Sequence, residues 1–355
     1  MSPSVHSRSA MRAGIALSAS LAFVLGSVGA AESAEILSAT PATIAGATLA
    51  VTTPTAASPK GVSPDVYFDE TTGTYYLYTT NMPPGTYTSA DGTNWAAVAG
   101  ATLPSGFDWS VTKMGPSDYR MYYASINPNS PSVVRCTNMK KELRYATSTD
   151  LVHWTMQPGA LFGDVGCGVP HVLRKPDGSY LMYYNTITSQ HGIHIATSSD
   201  GLNWTALSGL VANDPDLVDP APIVMPDGTF LMVASTTGAG GPQQLQILSS
   251  PDGLTWTLRS NDLYAPAGVS VLDPSVKIVN GQIRVWFGYA PGMDHNNSQI
   301  ASGILTLGSA SATSTGSPAA GKPGTTCKKV GAKTKFQGKA VVCKKSKGKL
   351  IWARA

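Results

Sequence analysis

The 355-residue chain is 42% hydrophobic and 13% charged, too apolar for a disordered chain and long enough for one large domain. Its 36 glycines and 25 prolines fall short of low complexity, and its charged fraction falls short of the ~25% usual in soluble domains, so a turn-rich β fold is expected. No apolar run after residue 28 approaches the ~20 residues of a membrane-spanning helix, which excludes a membrane-embedded mature chain.

Arg8 and Arg12 precede an apolar stretch from Ala13 to Val28, and Val28-Gly29-Ala30 offers small residues for cleavage. Residues 1–30 are therefore expected to be a signal peptide and the mature protein to be secreted or held at the cell envelope. Residues 31–59 form an N-terminal segment, and a strand over residues 45–52 is expected to close the fold at its far end.

Between residues 60 and 307 the chain repeats itself. Three segments, SADGTNW (Ser89–Trp95), SSDGLNW (Ser198–Trp204) and SPDGLTW (Ser250–Trp256), are joined by a fourth, STDLVHW (Ser148–Trp154), with Leu151 in place of glycine. Each follows a β-branched or aromatic run, so each is predicted to be a tight turn between two antiparallel strands. A second strand pair lies upstream in every unit, in TYYLYTT (Thr74–Thr80), YRMYYAS (Tyr119–Ser125), SYLMYYN (Ser179–Asn185), TFLMVAS (Thr229–Ser235) and QIRVWFGY (Gln282–Tyr289). Four strands per unit in radial repetition predict an all-β five-bladed β-propeller. The fifth unit lacks the tryptophan turn and shows three strands, and the N-terminal strand is predicted to complete it, since an open ring would leave unpaired edges. A six-bladed ring with sialidase-type Asp-boxes is the alternative, although the turn here is one residue shorter and no sixth unit is visible.

Residues 308–325, GSASATSTGSPAAGKPG and its neighbour, read as a flexible linker. Residues 326–355 hold nine lysines and Arg354 and no acid, with strand-like AVV and LIW runs. So small a β module needs a staple, and a Cys327–Cys343 disulfide is expected. Cys136, in the long loop of the second unit, is expected to pair with Cys167, one of three connectivities open to four cysteines. The acidic residues all lie between Glu32 and Asp294 and outnumber the bases there, so the basic tail is expected to be drawn to anionic cell-wall polymers. Nucleic acid is not expected as a partner, and the chain is expected to act as a monomer.

Pro64-Asp65-Val66, Asp219-Pro220, Asp273-Pro274-Ser275-Val276 and the SxDLxxW-type turns together resemble the five-bladed glycoside hydrolases of families 43, 32 and 62 over residues 60–307. That resemblance implies cleavage of glycosidic bonds in polysaccharide or oligosaccharide side chains. It also implies three funnel carboxylates, acting as base, pKa modulator and acid, at the starts of inner strands. The departures bear on activity. Ser63 precedes Pro64 where Asp-Pro would stand, Gly168-Val169-Pro170-His171 replaces Glu-Gly-Pro-His, and counting on from Trp109 puts Thr112 where a carboxylate would stand. The catalytic candidates are therefore Asp65, Asp219 and Asp273, with Glu142 or His171 to replace the missing acid. Trp109, Arg135, Asn185, Tyr289 and His295 are the candidates for holding sugar. The competing reading is a catalytically inactive carbohydrate-binding propeller. No Cys or His spacing reads as a zinc site and no cofactor is expected, although an acidic channel leaves room for a structural calcium ion.

Overall fold

The computed structural model describes residues 37–81, 83–126, 135–136, 139–161, 168–186, 191–292, 294–309, 327, 329–336, 339–346 and 349–354. The expected signal peptide, most of the linker, and Cys167 lie outside them, and so does the expected Cys136–Cys167 pairing.

Five antiparallel sheets carry the repeats. Their first strands are Val62–Asp69, Phe107–Gly115, Gly168–Arg174, Leu217–Val224 and Val269–Val279. Each first strand touches the first strand of the next blade, and the fifth touches the first. They therefore ring a central channel, and the later strands of each blade step outward from it. The fifth blade is completed by Thr48–Thr52, which pairs antiparallel with Gln299–Thr306, Thr48 opposite Thr306. The strand expected to close the ring takes its outermost place, so the sheet there has no missing edge.

Because each blade lies between two others, its second strand is buried on both faces. In Thr74–Thr80 the side chains alternate: Tyr75 and Leu77 pack with Trp286 and Val279 of blade 5, whereas Tyr78 packs with Trp109, Met121 and Trp154 of blade 2. This is why these strands read as apolar runs rather than as a simple alternation.

The Ser-x-Asp turns brace the ring. In each, the Asp carboxylate accepts the backbone N–H groups two and three residues ahead, as Asp200 does from Leu202 and Asn203 at 2.8 Å each. The carbonyl of the turn's fourth residue is then met by an aromatic donor from the preceding blade. Tyr78 donates to Leu151, Tyr122 to Gly201 and Tyr183 to Gly253 at 2.6–2.9 Å, and Trp286 closes the circle on Gly92 at 2.7 Å. The turn tryptophans stack edge-on against the same tyrosines, with centroids 6.0, 6.0 and 5.7 Å apart for Tyr78–Trp154, Tyr122–Trp204 and Tyr183–Trp256. The equivalent residue of blade 4 is Val233, and blade 5 has no such turn to receive a donor. These turns lie at the end of the channel where the inner strands finish, opposite the Asp-Pro ends.

The C-terminal module is a separate three-stranded antiparallel sheet, Lys333–Phe336, Lys339–Ser346 and Lys349–Arg354. Cys327 and Cys343 form a disulfide. Val341 and Cys343 are buried while Val342 and Lys344 are more exposed, the period-2 pattern of a one-sided sheet.

Candidate active site

The five inner strands begin in the same way. Ser63, Asp108, Val169, Asp219 and Asp273 all have left-handed backbone, with φ of 48, 57, 47, 55 and 50°. Each is followed by Pro or Trp, and each sits where the pairing with the second strand slips by a bulge. A bulge turns one side chain out of the alternation and re-aims it, so these five residues converge on one mouth of the channel. Aspartate tolerates the left-handed region better than most residues, whereas a β-branched valine there is an outlier.

Three of the five are carboxylates. Ser63 Oγ lies 2.8 Å from Asp108 Oδ1 and 3.0 Å from Asp273 Oδ2, and the Ser63 N–H donates to Asp273 Oδ2 at 3.1 Å. The Val169 N–H donates to Asp108 Oδ2 at 3.3 Å. Asp219 accepts from Asn185 Nδ2 at 3.1 Å and donates its own N–H back to Asn185 Oδ1 at 3.2 Å, while the Asp273 N–H donates to Ser235 Oγ at 3.0 Å. The side chains of Asp219 and Asp273 stand close enough to shift each other's titration.

Burial is the largest cause pushing both carboxyls up; only 6% of Asp219 and 8% of Asp273 is exposed. Asp219 rises to about 6, and Asp273 rises well above the ordinary value, driven further by the charges of Asp219 and Asp108. Two buried carboxyls side by side cannot both ionise cheaply, so the pair favours holding one proton between them.

The sequence-predicted residues fall in different places. Asp219 and Asp273 stand in this cluster. Asp65 lies two residues further along its strand, buried, with Oδ2 accepting the Val111 N–H at 2.8 Å. It lines the mouth from below, and burial pushes its pKa up while Lys277 pulls it back. His171 is at the same level in blade 3. Burial and Lys277 hold its pKa well below the usual imidazole range, so it is neutral at neutral pH and poorly suited to deliver a proton. Glu142 is buried on the third strand of blade 2 in an ion pair with Arg144, and the residues lining the mouth do not include it.

Among the candidates for sugar contact, Asn185 is engaged in orienting Asp219. Trp109 is 3% exposed and packs between blades 1 and 2, with one side on the mouth. Tyr289 is half-buried against the core of blades 4 and 5, and His295 is exposed in a short turn, His295–Asn297. Arg135 belongs to a two-residue strand, Arg135–Cys136, whose side chains are outside the described set.

Sequence reasoning missed Asp108 and the bridging role of Ser63. Aligning the five strand starts on Pro64, Trp109, Pro170, Pro220 and Pro274 puts Asp108 level with Asp219 and Asp273; counting onward from Trp109 to Thr112 passes over it. Among the described residues no three His, Cys, Asp or Glu side chains are placed to hold a metal ion, and the cation Lys277 acts on both Asp65 and His171.

No protein-family model matches the sequence, and no curated protein matches it. Solved structures do. A thermostable family-43 glycoside hydrolase is 18% identical with a TM-score of 0.51, over 71% of this chain and 92% of that one. The endo-arabinase of Bacteroides thetaiotaomicron is 14% identical with a TM-score of 0.54, over 73% and 96%. The GH32 β-fructofuranosidase of Bombyx mori is 12% identical with a TM-score of 0.55, over 85% and 65%. At these identities the likeness is one of fold: the chain has the five-bladed β-propeller fold found in glycoside hydrolases of families 43 and 32.

Proposed function

We propose that the protein is a secreted glycoside hydrolase whose working carboxyls are Asp108, Asp219 and Asp273. What carries the reading is the contrast within the cluster. Burial favours a proton on the Asp219–Asp273 pair, and Asp108, half-buried at the open side, stands across the Ser63 hydroxyl from it. Glycoside hydrolysis needs such a contrast, one carboxyl protonated to release the leaving oxygen and one ionised to attack or to activate water. Asp273 takes the acid role, Asp219 holds its pKa up, Asn185 orients Asp219, and Asp108 is the base or nucleophile. The lysine-rich C-terminal sheet is assigned to retention on anionic envelope polymers, in a salt-dependent way.

The test is a hydrolysis screen of the purified mature protein against aryl arabinofuranosides, xylosides, galactosides, fructosides and sialosides, with glycan-array binding on the same sample. Turnover that falls by roughly 10²-fold or more in each of Asp108→Asn, Asp219→Asn and Asp273→Asn supports the assignment. Full turnover in any folded one of them overturns it.

A second reading has its own observation. In blade 3 the mouth is formed by Gly168 and Val169, with no carboxyl where the resemblance places a glutamate, which favours a propeller that binds glycan without cleaving it. Binding on the array with no turnover on any substrate would establish that reading instead.

A further inference from the structure

The opposite end of the channel holds a cavity of about 440 Å³, bounded by the last residues of the five inner strands. It lies roughly 13 Å beyond the carboxyl cluster, four residues along strands that rise ~3.3 Å per residue, and His171 is the lining residue it shares with the mouth. Its volume falls in the ~300–1,000 Å³ range of small-molecule sites.

The lining is cationic. Lys113, Arg174 and Lys277 face it against the single carboxylate Glu70. None of the three cations makes an ion pair among the described residues. Lys113 and Arg174 are exposed at the rim, and Lys277 is half-buried inside. The acids nearest in charge are Asp69, felt by Lys113, and Asp65, felt by Lys277 from the channel above. At the inner end His171, only 6% exposed, reaches both this cavity and the mouth. It has no hydrogen-bond partner among the described residues. Its ring nitrogens are not among the fully buried atoms left without a partner, so they keep access to the channel and are open to a ligand at the floor of this cation-lined cavity. Tyr67, half-exposed on the wall, offers an aromatic face.

We infer that this funnel is a second binding site, for a sugar carrying one anionic oxygen group, a hexuronate or a sugar phosphate. Lys277 and the rim cations hold the anion, neutral His171 donates or accepts one hydrogen bond, and Tyr67 carries the ring face. The inference does not depend on the carboxyls at the other mouth being catalytic.

The test is calorimetric titration of the full mature chain at low salt with galacturonate, glucose 6-phosphate, inorganic phosphate and glucose. Because the C-terminal lysines also attract anions, the decisive comparison is with Lys277→Met and with Lys113→Gln/Arg174→Gln, which leave those lysines in place. The rim double variant changes exposed residues only, so it reports even if Lys277→Met fails to fold. Binding of either anionic sugar but not glucose, weakened roughly tenfold or more by the rim variant and by added salt, supports the inference, and the preferred sugar identifies the anion. Inorganic phosphate binding as tightly as glucose 6-phosphate would reduce the site to a bare oxyanion site and overturn the sugar assignment. No binding of either anionic sugar below roughly 10 mM, or equal binding in the variants, would overturn the site.

Discussion

Replacing Asp219 with asparagine should make the protein more stable while stopping turnover. In the fold, burial raises this carboxyl from 3.8 to about 6. The sign follows: a group with a raised folded pKa contributes stability that is present below its unfolded pKa of about 3.8 and is lost as pH rises through about 6. At neutral pH the ionised Asp219 is therefore a cost. At ~1.4 kcal/mol per pH unit the distance corresponds to roughly 3 kcal/mol. Asp273 shares the proton, so the gain on removing the charge is expected at roughly 1–3 kcal/mol. Asparagine keeps the size of the side chain, and its Oδ1 still accepts from Asn185 Nδ2.

For a domain of this size, ~2–4 °C of Tm accompanies each kcal/mol, so a rise of roughly 3–10 °C is expected at pH 7.5. The assay is differential scanning calorimetry of wild type and Asp219→Asn across pH 4 to 8. The gain should shrink to about 0.5 kcal/mol at pH 4, where the folded carboxyl is protonated and the unfolded one is roughly half protonated. A variant less stable than wild type at pH 7.5, or a gain of equal size at both ends of the range, would refute the shared buried proton and with it the acid role of Asp273.

Asp65→Asn should keep turnover within about twofold, since its oxygen still accepts from the Val111 N–H, whereas Asp65→Ala should cost roughly 1–3 kcal/mol by orphaning that buried donor; loss of activity in the asparagine variant with its Tm intact would make Asp65 catalytic. Val169→Asn should gain about 0.5–1 kcal/mol in urea denaturation, because asparagine relieves part of the left-handed penalty borne by valine. A loss of stability there would show that the valine side chain is needed at the mouth. Tyr122→Phe should cost about 1 kcal/mol through the lost bond to the Gly201 carbonyl, read as a lowered urea midpoint; an unchanged midpoint would mean that these inter-blade bonds do not hold the ring.

Much of this architecture was legible because its punctuation repeats. Four tryptophan turns mark four blades, and the blade without one is the blade whose outer strand comes from residues 48–52. The Cys327–Cys343 staple was legible because thirty residues cannot bury a sufficient core. The cluster at the mouth was legible only in part. Asp219 and Asp273 announce themselves by the following proline, but Asp108 precedes a tryptophan, and a bulge shifts every later residue of its strand out of simple counting. The funnel at the other end was not legible at all. Lys113, Arg174 and Lys277 are far apart in sequence and look like the solvent-facing members of ordinary strands; only closure of the ring gathers them.

The inner ring also shows why function gathers where it does. Two residues after each bulge, a side chain reaches the next blade and caps the N–H of the residue in register: Ser275 caps Val66, Asp65 caps Val111, and Ser110 caps Val172, at 2.8–3.3 Å. Uncapped, each of these edge donors would be an orphan facing a narrow channel, so three of the five seams are fixed by that requirement. At the next seam the residue in register is Pro222, which has no N–H to satisfy. The residue that would cap it is His171, and it is thereby free of structural duty. The seam after that is crossed by Ala221, with nothing to accept. Blade 3 is also where the bulge residue is a valine rather than an acid or serine. The repeat is thus relaxed on one side of the ring, and among the described residues the released histidine is the one side chain that lines both the mouth and the cationic funnel. A ligand in the funnel that hydrogen-bonds His171 would alter the floor of the mouth, which makes His171 the place to look for communication between the two ends.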